Sequence, residues 1–385
     1  MKYQEQVLPD YEPASVLSSY TNGRIPCFFD IETTGLSPKA NYVYLIGSLS
    51  RSDGNWTFRQ WFAENIDEEP EILRLFQEAL SSEQVLIHYN GATFDIPFLK
   101  ERCRRYGLPD ALPEASDTLD LFRMLYPTAA LFHTANRKQP TMEKLSGFTR
   151  TDCYDGGTLV GFYTEYVGRC RYDKARAEEL LHDLLLHNHD DVIGLADIPK
   201  LLAYRSVKET DYHNAVITTN PASVTFSAEI PYRLPMEWKR VIPLPDVPPE
   251  CRSTLVEYVP PEDFDGYYLT VLLKENRITV TAPLYRMAPF YYYPNYKDYY
   301  YLPVEKRAIH KSLAACVDKA YREPATKETA RQSKNGTFLP QIAEAITPAF
   351  RFRHNDELSF FEPSSLKEES VPVLLSDWLS YAEKL

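Results

Sequence analysis

Two acidic residues interrupt an apolar strand pattern near the start of the chain. The run Cys27-Phe28-Phe29-Asp30-Ile31-Glu32 predicts a β-strand, and strand alternation places Asp30 and Glu32 on one face. Two buried like charges side by side are unfavourable unless cations neutralise them. Oxygen ligands of this kind suit magnesium or manganese. The pattern therefore predicts a sheet with a divalent-cation site. An Asp-x-Glu triplet also arises by chance, and a solvated strand end is the alternative.

The elements that follow predict an α/β fold. Strands at Tyr42 to Ser50 and Asn55 to Phe62 continue from the first strand as an antiparallel meander. A helical pattern after the acidic segment Asp67 to Pro70 leads to another strand at Gln84 to Tyr89. Further helices are predicted at about residues 94–106, 119–126, 141–147, 158–167 and 173–204. This order of elements indicates a mixed sheet flanked by helices.

The length and composition predict two domains. A chain of 385 residues with 44% hydrophobic content can bury two cores. The helical pattern fails near Ser206 to His213, and strands follow at Ala215 to Ile230 and Tyr267 to Ala282. The segment Pro243 to Pro261 is expected to be loop-like. We therefore expect a first domain at residues 1–205 and a β-rich α+β accessory domain at residues 206–385.

The net charge of -12 excludes a basic field over the whole molecule, so any nucleic-acid site must be local. The six cysteines lack the spacing of a zinc knuckle, and we expect reduced thiols. Residues Met1 to Asp10 lack the apolar run of a secretory signal, and no run of about 18 apolar residues occurs. We expect a soluble cytoplasmic protein with no membrane partner. Its oligomeric state is not indicated.

Two further segments offer substrate-binding groups and a third carboxylate. The turn Thr33-Thr34-Gly35-Leu36 supplies hydroxyls and backbone N–H groups suited to holding the end of a phosphodiester chain. Asp95 lies at the start of a predicted helix, where it is either a helix cap or a metal ligand. Asn90 and Phe94, just before it, are candidates for contacting a terminal nucleotide.

A fourth carboxylate lies in the long late helix. His187 and Asp191 are four residues apart and share a helix face, which places a titratable base one turn from an acidic ligand. A surface ion pair is the alternative for such a pair. Asp190 competes for the ligand role. We prefer Asp191 because its neighbours four residues away are His187 and the apolar Leu195.

In this order and at these separations, the three patterns resemble the motifs of the DEDD exonucleases. Those motifs are an Asp-x-Glu, an Asn-containing turn before an Asp, and a titratable residue shortly before a final Asp. The resemblance covers about residues 28–204. It is greatest to the ribonuclease H-like branch of bacterial predicted exonucleases, which the segments Thr141 to Phe148 and Asp155-Gly156-Gly157 also resemble.

The resemblance implies a two-metal nuclease that hydrolyses phosphodiester bonds of DNA or RNA, removing nucleotides from 3′ to 5′. Asp30 would bridge two Mg²⁺ or Mn²⁺ ions, Glu32 and Asp191 would complete the first site, and Asp95 would hold the second largely through water. His187 would orient or deprotonate the attacking water. Family members carry a Tyr four residues before the final Asp or a His five before it, whereas His187 stands at the tyrosine spacing.

The sequence also fits two other classes of function. A non-catalytic module that binds nucleic acid or protein would keep this fold, and a two-metal phosphoesterase acting on small nucleotides would keep the site. In the second domain, the tyrosine-rich run Phe290 to Tyr301 is expected mainly to pack a β-rich core with the hydroxyls at its rim, and base stacking is the alternative. The basic stretch Lys297 to Lys334 is a candidate for contacting nucleic acid, and a protein partner is the other candidate.

Overall fold

The computed structural model describes residues 1–152, 154–207, 212–245, 254–255 and 268–382. The chain divides into two compact units. The first comprises Met1–Ser206 with Leu234–Met236, and the second comprises Val207–Arg233 with Glu237–Leu385. Most of the segment Pro243 to Pro261, and two of the six cysteines, Cys153 and Cys251, lie outside the described residues.

The first unit contains a mixed six-stranded sheet. Its strands are β1 (Lys2–Val7), β2 (Ile25–Thr33), β3 (Val43–Ser52), β4 (Asn55–Phe62), β5 (Gln84–His88) and β6 (Leu119–Asp120). Their order is β1-β4-β3-β2-β5-β6. β2, β3 and β4 form the predicted antiparallel meander, while β5 and β6 extend the sheet in parallel from β2. The sequence does not predict β1, an exposed edge strand paired with β4.

Helices precede and follow these strands. They are α1 (Ser18–Thr21), α2 (Glu69–Ala79), α3 (Asp95–Tyr106), α4 (Leu121–Met124), α5 (Tyr126–Leu131), α6 (Gln139–Ser146), α7 (Gly156–Arg169), α8 (Lys174–Asp197) and α9 (Leu202–Ser206). The helix predicted at 173–204 is shorter than expected. Pro199, within the 3₁₀ turn Ile198–Leu201, lacks the N–H that an α-helix would need there.

Strand β2 separates two hydrophobic clusters. Cys27, Phe29 and Ile31 pack with residues of α2 and α3 on one side of the sheet. A second cluster joins β3 and β4 to α7 and α8. Because side chains alternate along a strand, Asp30 and Glu32 point away from the first cluster and toward the α8 side. The packing of the odd-numbered residues thus fixes the direction of the two carboxylates.

A buried ion pair fixes the position of α3, the helix that begins at Asp95. Glu69 on α2 is 0% exposed, and Arg102 on α3 is 3% exposed. The Arg102 guanidinium donates to both Glu69 carboxyl oxygens, at 2.8 and 2.5 Å, and the Val43 N–H donates to Oε1 at 2.8 Å. One carboxylate therefore ties together α2, α3 and β3, in the bidentate geometry that favours Arg.

The second unit is β-rich, as expected. Its strands are β7 (His213–Thr219), β8 (Ser223–Glu229), β9 (Trp238–Pro243), β10 (Thr254–Leu255), β11 (Tyr268–Lys274), β12 (Arg277–Pro283), β13 (Tyr285–Met287), β14 (Phe290–Tyr292), β15 (Tyr299–Leu302), β16 (Arg307–His310), β17 (Glu323–Pro324), β18 (Arg331–Ser333), β19 (Gly336–Gln341), β20 (Phe350–Arg351) and β21 (Ser359–Phe361). The sheet orders are β10-β13-β19-β21-β20-β14-β18, β7-β8-β12-β11-β9 and β16-β15-β17. Each of the two long strands predicted at 215–230 and 267–282 is a hairpin, β7–β8 and β11–β12. Helix α10 (Val371–Ala382) packs against β7, β8 and β19.

The tyrosine-rich run is only partly buried. Tyr291 to Tyr293 and Tyr299 to Tyr301 are all partly exposed, so core packing with the hydroxyls at the rim and base stacking both stay predictions. β14 lies beside the outermost strand of its sheet, and β15 belongs to a sheet of only three short strands. Strands at such positions have too few neighbouring elements to bury every tyrosine ring. Among the helices that the structure describes, none has the length and apolar character needed to cross a lipid bilayer.

Candidate metal and catalytic site

Asp30 and Glu32 lie on the face of β2 that meets α8. Asn188 on α8, which is fully buried, donates from Nδ2 to Asp30 Oδ2 at 3.3 Å. Gln60 on β4 donates to the Asn188 Oδ1 at 2.9 Å and fixes the orientation of that amide. Glu32 is 9% exposed. The sheet and one helix thus hold both carboxylates in a largely buried position.

Asp95 is the first residue of α3 and is buried. Hydrogen bonds from its own backbone and from the Ile31 backbone lower its pKa, but burial outweighs them. The bond from Ile31 places the Asp95 carboxyl beside β2, between the positions of Asp30 and Glu32. The approach is close at Gly91, where a Cβ would lie 2.9 Å from Asp95 Oδ2. Gly91 therefore gives the carboxyl room to reach the strand.

Three of these carboxyl groups have raised pKa values. Burial raises the pKa of Glu32 to about 8, with further contributions from Asp191 and Asp95 that His187 partly offsets. Burial likewise raises the pKa of Asp95 to about 7. The pKa of Asp30 lies well above its usual range because of burial and the charges of Asp191, Glu32 and Asp95. The structure therefore brings all four predicted carboxylates into one mutually repelling group.

Helix α8 presents Asp191, not Asp190, to this group. His187 Nε2 lies 3.2 Å from Asp191 Oδ2 and 3.7 Å from Glu32 Oε1. Asp190 points elsewhere: its Oδ2 accepts hydrogen bonds from the backbone N–H groups of Thr151 (2.6 Å) and Asp152 (2.8 Å). Asp190 thus holds the loop that follows α6, while Asp191 faces the other carboxylates.

His187 is held by a carboxylate that the sequence does not single out. Its Nδ1 lies 2.6 Å from Asp152 Oδ2, and Asp152 is itself buried. Burial lowers the pKa of His187, but Asp191, Glu32 and Asp152 raise it by more, to about 9. At neutral pH and without bound cations, the imidazole is therefore protonated. Its positive charge balances part of the acidic group.

Arg150 and Glu143 extend the network on the other side of Asp191. The Arg150 guanidinium donates to Asp191 Oδ1 and to both Glu143 oxygens, at 2.5 and 2.8 Å. Burial raises the pKa of Asp191, yet the hydrogen bonds and charges of His187 and Arg150 outweigh burial and hold that pKa below its usual value. Asp191 is thus clamped between two cations. Arg150 lies in a loop, where no periodicity indicates which residue it contacts.

We expect Arg150→Gln to destabilise the metal-free protein by about 3 kcal/mol, because it leaves buried Glu143 without its cation and partly buried Asp191 with His187 alone. Added Mn²⁺ should recover part of the loss by taking up charge near Asp191. Thermal unfolding with EDTA and with Mn²⁺ measures both effects. Arg74→Gln is the matched control, since Arg74 forms exposed ion pairs with Glu71 and Glu78, and little change is expected there. Equal melting shifts for the two variants would contradict the clamp.

The predicted substrate-binding residues lie in the segments that follow Glu32 and precede Asp95. The Thr33 hydroxyl donates to the Gly35 carbonyl at 2.9 Å, and Leu36 next to it is 84% exposed. The Asn90 backbone has a left-handed φ of 64°, and its amide Oδ1 accepts from the Thr93 hydroxyl. Phe94 is partly buried and packs against Phe98, with ring centroids 5.4 Å apart. Leu36 is therefore far more accessible than Phe94.

The turn itself is tightly built. Thr34 accepts a hydrogen bond from the Tyr42 N–H at 3.1 Å and donates its own N–H to the Tyr42 carbonyl at 3.0 Å. A Cβ at Gly35 would lie 2.8 Å from the Asn41 side chain, so this position requires glycine. The turn is thus fixed in shape directly after β2.

The residues present fit a hard divalent cation. Ligand atoms of Glu32, His187 and Asp191 all lie within 4.8 Å of one another. Asp30 and Asp95 add carboxyl groups whose raised pKa values show that the uncompensated charge is unfavourable. A site dominated by carboxylate oxygens suits Mg²⁺ or Mn²⁺.

A family model of the RNase_H superfamily, RNase_H_2, matches residues 27–203. This match confirms the resemblance to ribonuclease H-like proteins, and the mixed sheet flanked by helices confirms the α/β fold class predicted from the sequence.

Among curated proteins, the segment is similar to DNA polymerase III PolC-type of Lacticaseibacillus paracasei. The two are 29% identical over 140 residues, which cover 30% of this chain and 9% of that protein. The corresponding protein of Streptococcus sanguinis is 30% identical over 121 residues, covering 26% of this chain and 8% of that one. The chain thus spans less than a tenth of the length of either relative.

One similar solved structure is the family B DNA polymerase from the hyperthermophilic archaeon Pyrobaculum calidifontis. Its TM-score is 0.35 and its sequence identity is 18%, and the match covers 48% of this chain and 26% of that one. The metal-free form of the E. coli ExoI–ssDNA complex has a TM-score of 0.30 and 10% identity over 53% of this chain and 54% of that one.

Proposed function

We propose that this protein is a divalent-metal-dependent nuclease that hydrolyses phosphodiester bonds of DNA or RNA, acting as a 3′-5′ exonuclease. The observation that carries the proposal is the grouping of Asp30, Glu32, Asp95 and Asp191. Burial and the charges of neighbouring carboxylates raise the pKa values of Asp30, Glu32 and Asp95, so ionising all of them is costly unless cations bind among them. Phosphodiester hydrolysis uses such a cation pair. The match of residues 27–203 to the RNase_H superfamily supports the same assignment.

Each side chain has a distinct role in this proposal. Asp30, Glu32, Asp95 and Asp191 hold two Mg²⁺ or Mn²⁺ ions, which when bound acidify an attacking water and offset charge on the phosphate. His187 orients that water and accepts its proton, with Asp152 holding Nδ1 so that Nε2 faces the carboxylates. The Thr33 to Leu36 turn, with Asn90 and Phe94, holds the end of the substrate strand.

The test uses DNA and RNA, single- and double-stranded, labelled at the 3′ or the 5′ end. With Mg²⁺ or Mn²⁺, we expect a 3′ label to be released as a mononucleotide while a 5′ label remains on progressively shorter fragments. Release of 5′ mononucleotides would reverse the polarity, and internal cuts from the start would indicate an endonuclease. If neither ion supports cleavage of any substrate but binding persists, the chain is a non-catalytic binding module.

The cluster of carboxylates also predicts an unusual dependence of stability on pH. Glu32 and Asp95, with pKa values of about 8 and about 7, keep protons in the folded state that the unfolded chain releases near pH 4. Each contributes stability that is lost as pH rises toward its folded pKa. His187, with a pKa of about 9, contributes stability below pH 6.5 that is lost in the same direction. In EDTA, the melting temperature should therefore fall between about pH 5 and pH 9.

Mg²⁺ should flatten this decline, because it binds the deprotonated carboxylates. Thermal melts across that range, with EDTA and with Mg²⁺, provide the measurement. Glu32→Gln removes the titrating group with little change of shape, so its melting temperature in EDTA should fall less steeply. A melting temperature that rises from pH 5 to pH 8 in EDTA, with no difference between Glu32→Gln and wild type, would contradict the proposed electrostatics.

A further inference from the structure

The second unit contains an aromatic cavity that the proposed nuclease site does not use. Its volume is about 550 Å³, within the range of small-ligand sites. Tyrosines of β14 and of the following turn form one wall, and residues near β20 form the other. The lining includes Tyr291, Tyr292, Tyr293, Tyr296, Lys327 and His354.

Contacts with neighbouring groups fix the orientation of two of these rings, Tyr291 and Tyr293. Tyr293 stacks on Tyr299, with ring centroids 4.2 Å apart and planes 15° from parallel. Tyr291 meets Tyr293 edge-on at 5.3 Å. The Tyr293 hydroxyl donates to Gln332 Oε1 at 2.6 Å. Because the rings are held yet partly exposed, the wall offers aromatic faces whose ordering cost is already met before a ligand arrives.

The acidic groups of the lining are already partnered. Glu344 forms an ion pair with Arg351. Asp356 Oδ2 accepts a hydrogen bond from the Arg353 N–H at 2.8 Å. Lys327, by contrast, is exposed and has no ion-pair partner among the residues that the structure describes. Lys327 is therefore a cation of the lining that is available to an anionic ligand.

A carboxylate, Glu328, and an imidazole, His354, lie near Lys327. Its neighbour in the chain, Glu328, has a pKa lowered first by a hydrogen bond from Thr326 and also by the nearby charges of His354 and Lys327. The Thr326 hydroxyl donates to Glu328 at 2.8 Å, so this carboxylate is engaged within its own turn. The His354 ring lies edge-on to Tyr292 at 5.3 Å.

We propose that this cavity binds a segment of single-stranded nucleic acid, with a nucleobase stacked on the tyrosine wall and a phosphate beside Lys327. Stacking on aromatic rings combined with a cation for the backbone is the chemistry by which proteins hold single strands without regard to sequence. A proline-rich peptide also suits aromatic grooves. It gains nothing from an unpaired lysine, however, whereas a phosphate does. The proposal adds a second nucleic-acid site to the proposed function and does not require that the first unit cleaves.

The test measures binding of a fluorescein-labelled oligothymidylate to the full chain by anisotropy in EDTA, so that cleavage does not interfere. Tyr296→Ala should weaken binding by roughly 5- to 100-fold, as expected for the loss of one stacked base. Tyr296→Phe keeps the ring and should bind within about twofold of wild type. Lys327→Ala should weaken binding and reduce the salt slope by about one phosphate contact.

Matched controls lie on exposed residues outside the cavity lining. Tyr321→Ala removes a tyrosine that is 63% exposed, and Lys367→Ala removes an exposed lysine. Neither should change oligonucleotide affinity. If Tyr296→Ala melts abnormally, Lys327→Glu decides the question, since reversing an exposed charge leaves packing intact.

Affinity and salt slope that stay at wild-type values in Tyr296→Ala and Lys327→Glu would overturn the proposal. So would binding of a proline-rich peptide at this cavity without binding of the oligonucleotide. Failure of the nuclease proposal looks different: oligonucleotide binding in EDTA would persist, while Mg²⁺ and Mn²⁺ would support no cleavage.

Discussion

Asp30→Asn is expected to lower phosphodiester hydrolysis roughly a thousandfold or more while leaving the fold intact. The substitution removes a negative charge from the centre of the carboxylate group but changes side-chain volume very little. An amide oxygen at this position still accepts the hydrogen bond from Asn188. Because Asp30 repels Asp191, Glu32 and Asp95, the metal-free variant should be at least as stable as wild type. Turnover in Mn²⁺ and thermal melts in EDTA measure the two effects.

Asp110→Asn is the matched control, because Asp110 is an exposed residue near Lys100, outside the carboxylate group. Its turnover and melting temperature should equal those of wild type. Wild-type turnover in Asp30→Asn would show that the four carboxylates do not form the catalytic site. If Asp30→Asn is inactive and also melts at a lower temperature than wild type, Asp30 has a structural role. A catalytic role predicts that the inactive variant melts in EDTA at or above the wild-type temperature.

The residues predicted from local periodicity are the ones that the structure brings together. Strand alternation alone places Asp30 and Glu32 on one face of β2, and the helical repeat places His187 beside Asp191. The choice between adjacent aspartates also follows from the helical repeat. Asp191 faces β2, and Asp190 faces the loop after α6. Which side chains share a face depends on a few neighbouring residues, so it can be predicted from the sequence.

The residues that the sequence does not single out act through loops and long-range packing. Asp152 and Arg150 reach the site because backbone hydrogen bonds to Asp190 fold their loop over α8. No short-range pattern specifies that path. The partial exposure of the tyrosines on β14 and β15 likewise depends on sheet order, which places β14 beside an edge strand and β15 in a sheet of only three short strands. A strand's composition does not reveal how many neighbours will cover it.

Gly47→Ala is expected to damage both stability and activity, although position 47 bears no functional group. Gly47 lies on β3, where a Cβ would approach Asn188 Oδ1 to 2.1 Å and Val192 Cγ2 to 3.0 Å. Asn188 cannot retreat, because it is fully buried and bonded to Gln60 and Asp30. Helix α8 must therefore move away from the sheet. We expect a loss of about 2 kcal/mol in unfolding free energy.

Turnover of Gly47→Ala should fall by roughly a hundredfold, because a shift of α8 carries Asp191 away from Glu32. Gly161→Ala is the control: this helical glycine has open space around it, so the change should keep activity and slightly raise stability. The double variant Gly47→Ala/Asn188→Ala makes room for the new methyl group, and its stability should exceed the additive value by more than about 0.5 kcal/mol. Its turnover should stay low, since Asp30 loses its amide donor. If Gly47→Ala instead behaves like Gly161→Ala, close packing of α8 on β3 is not what positions Asp191.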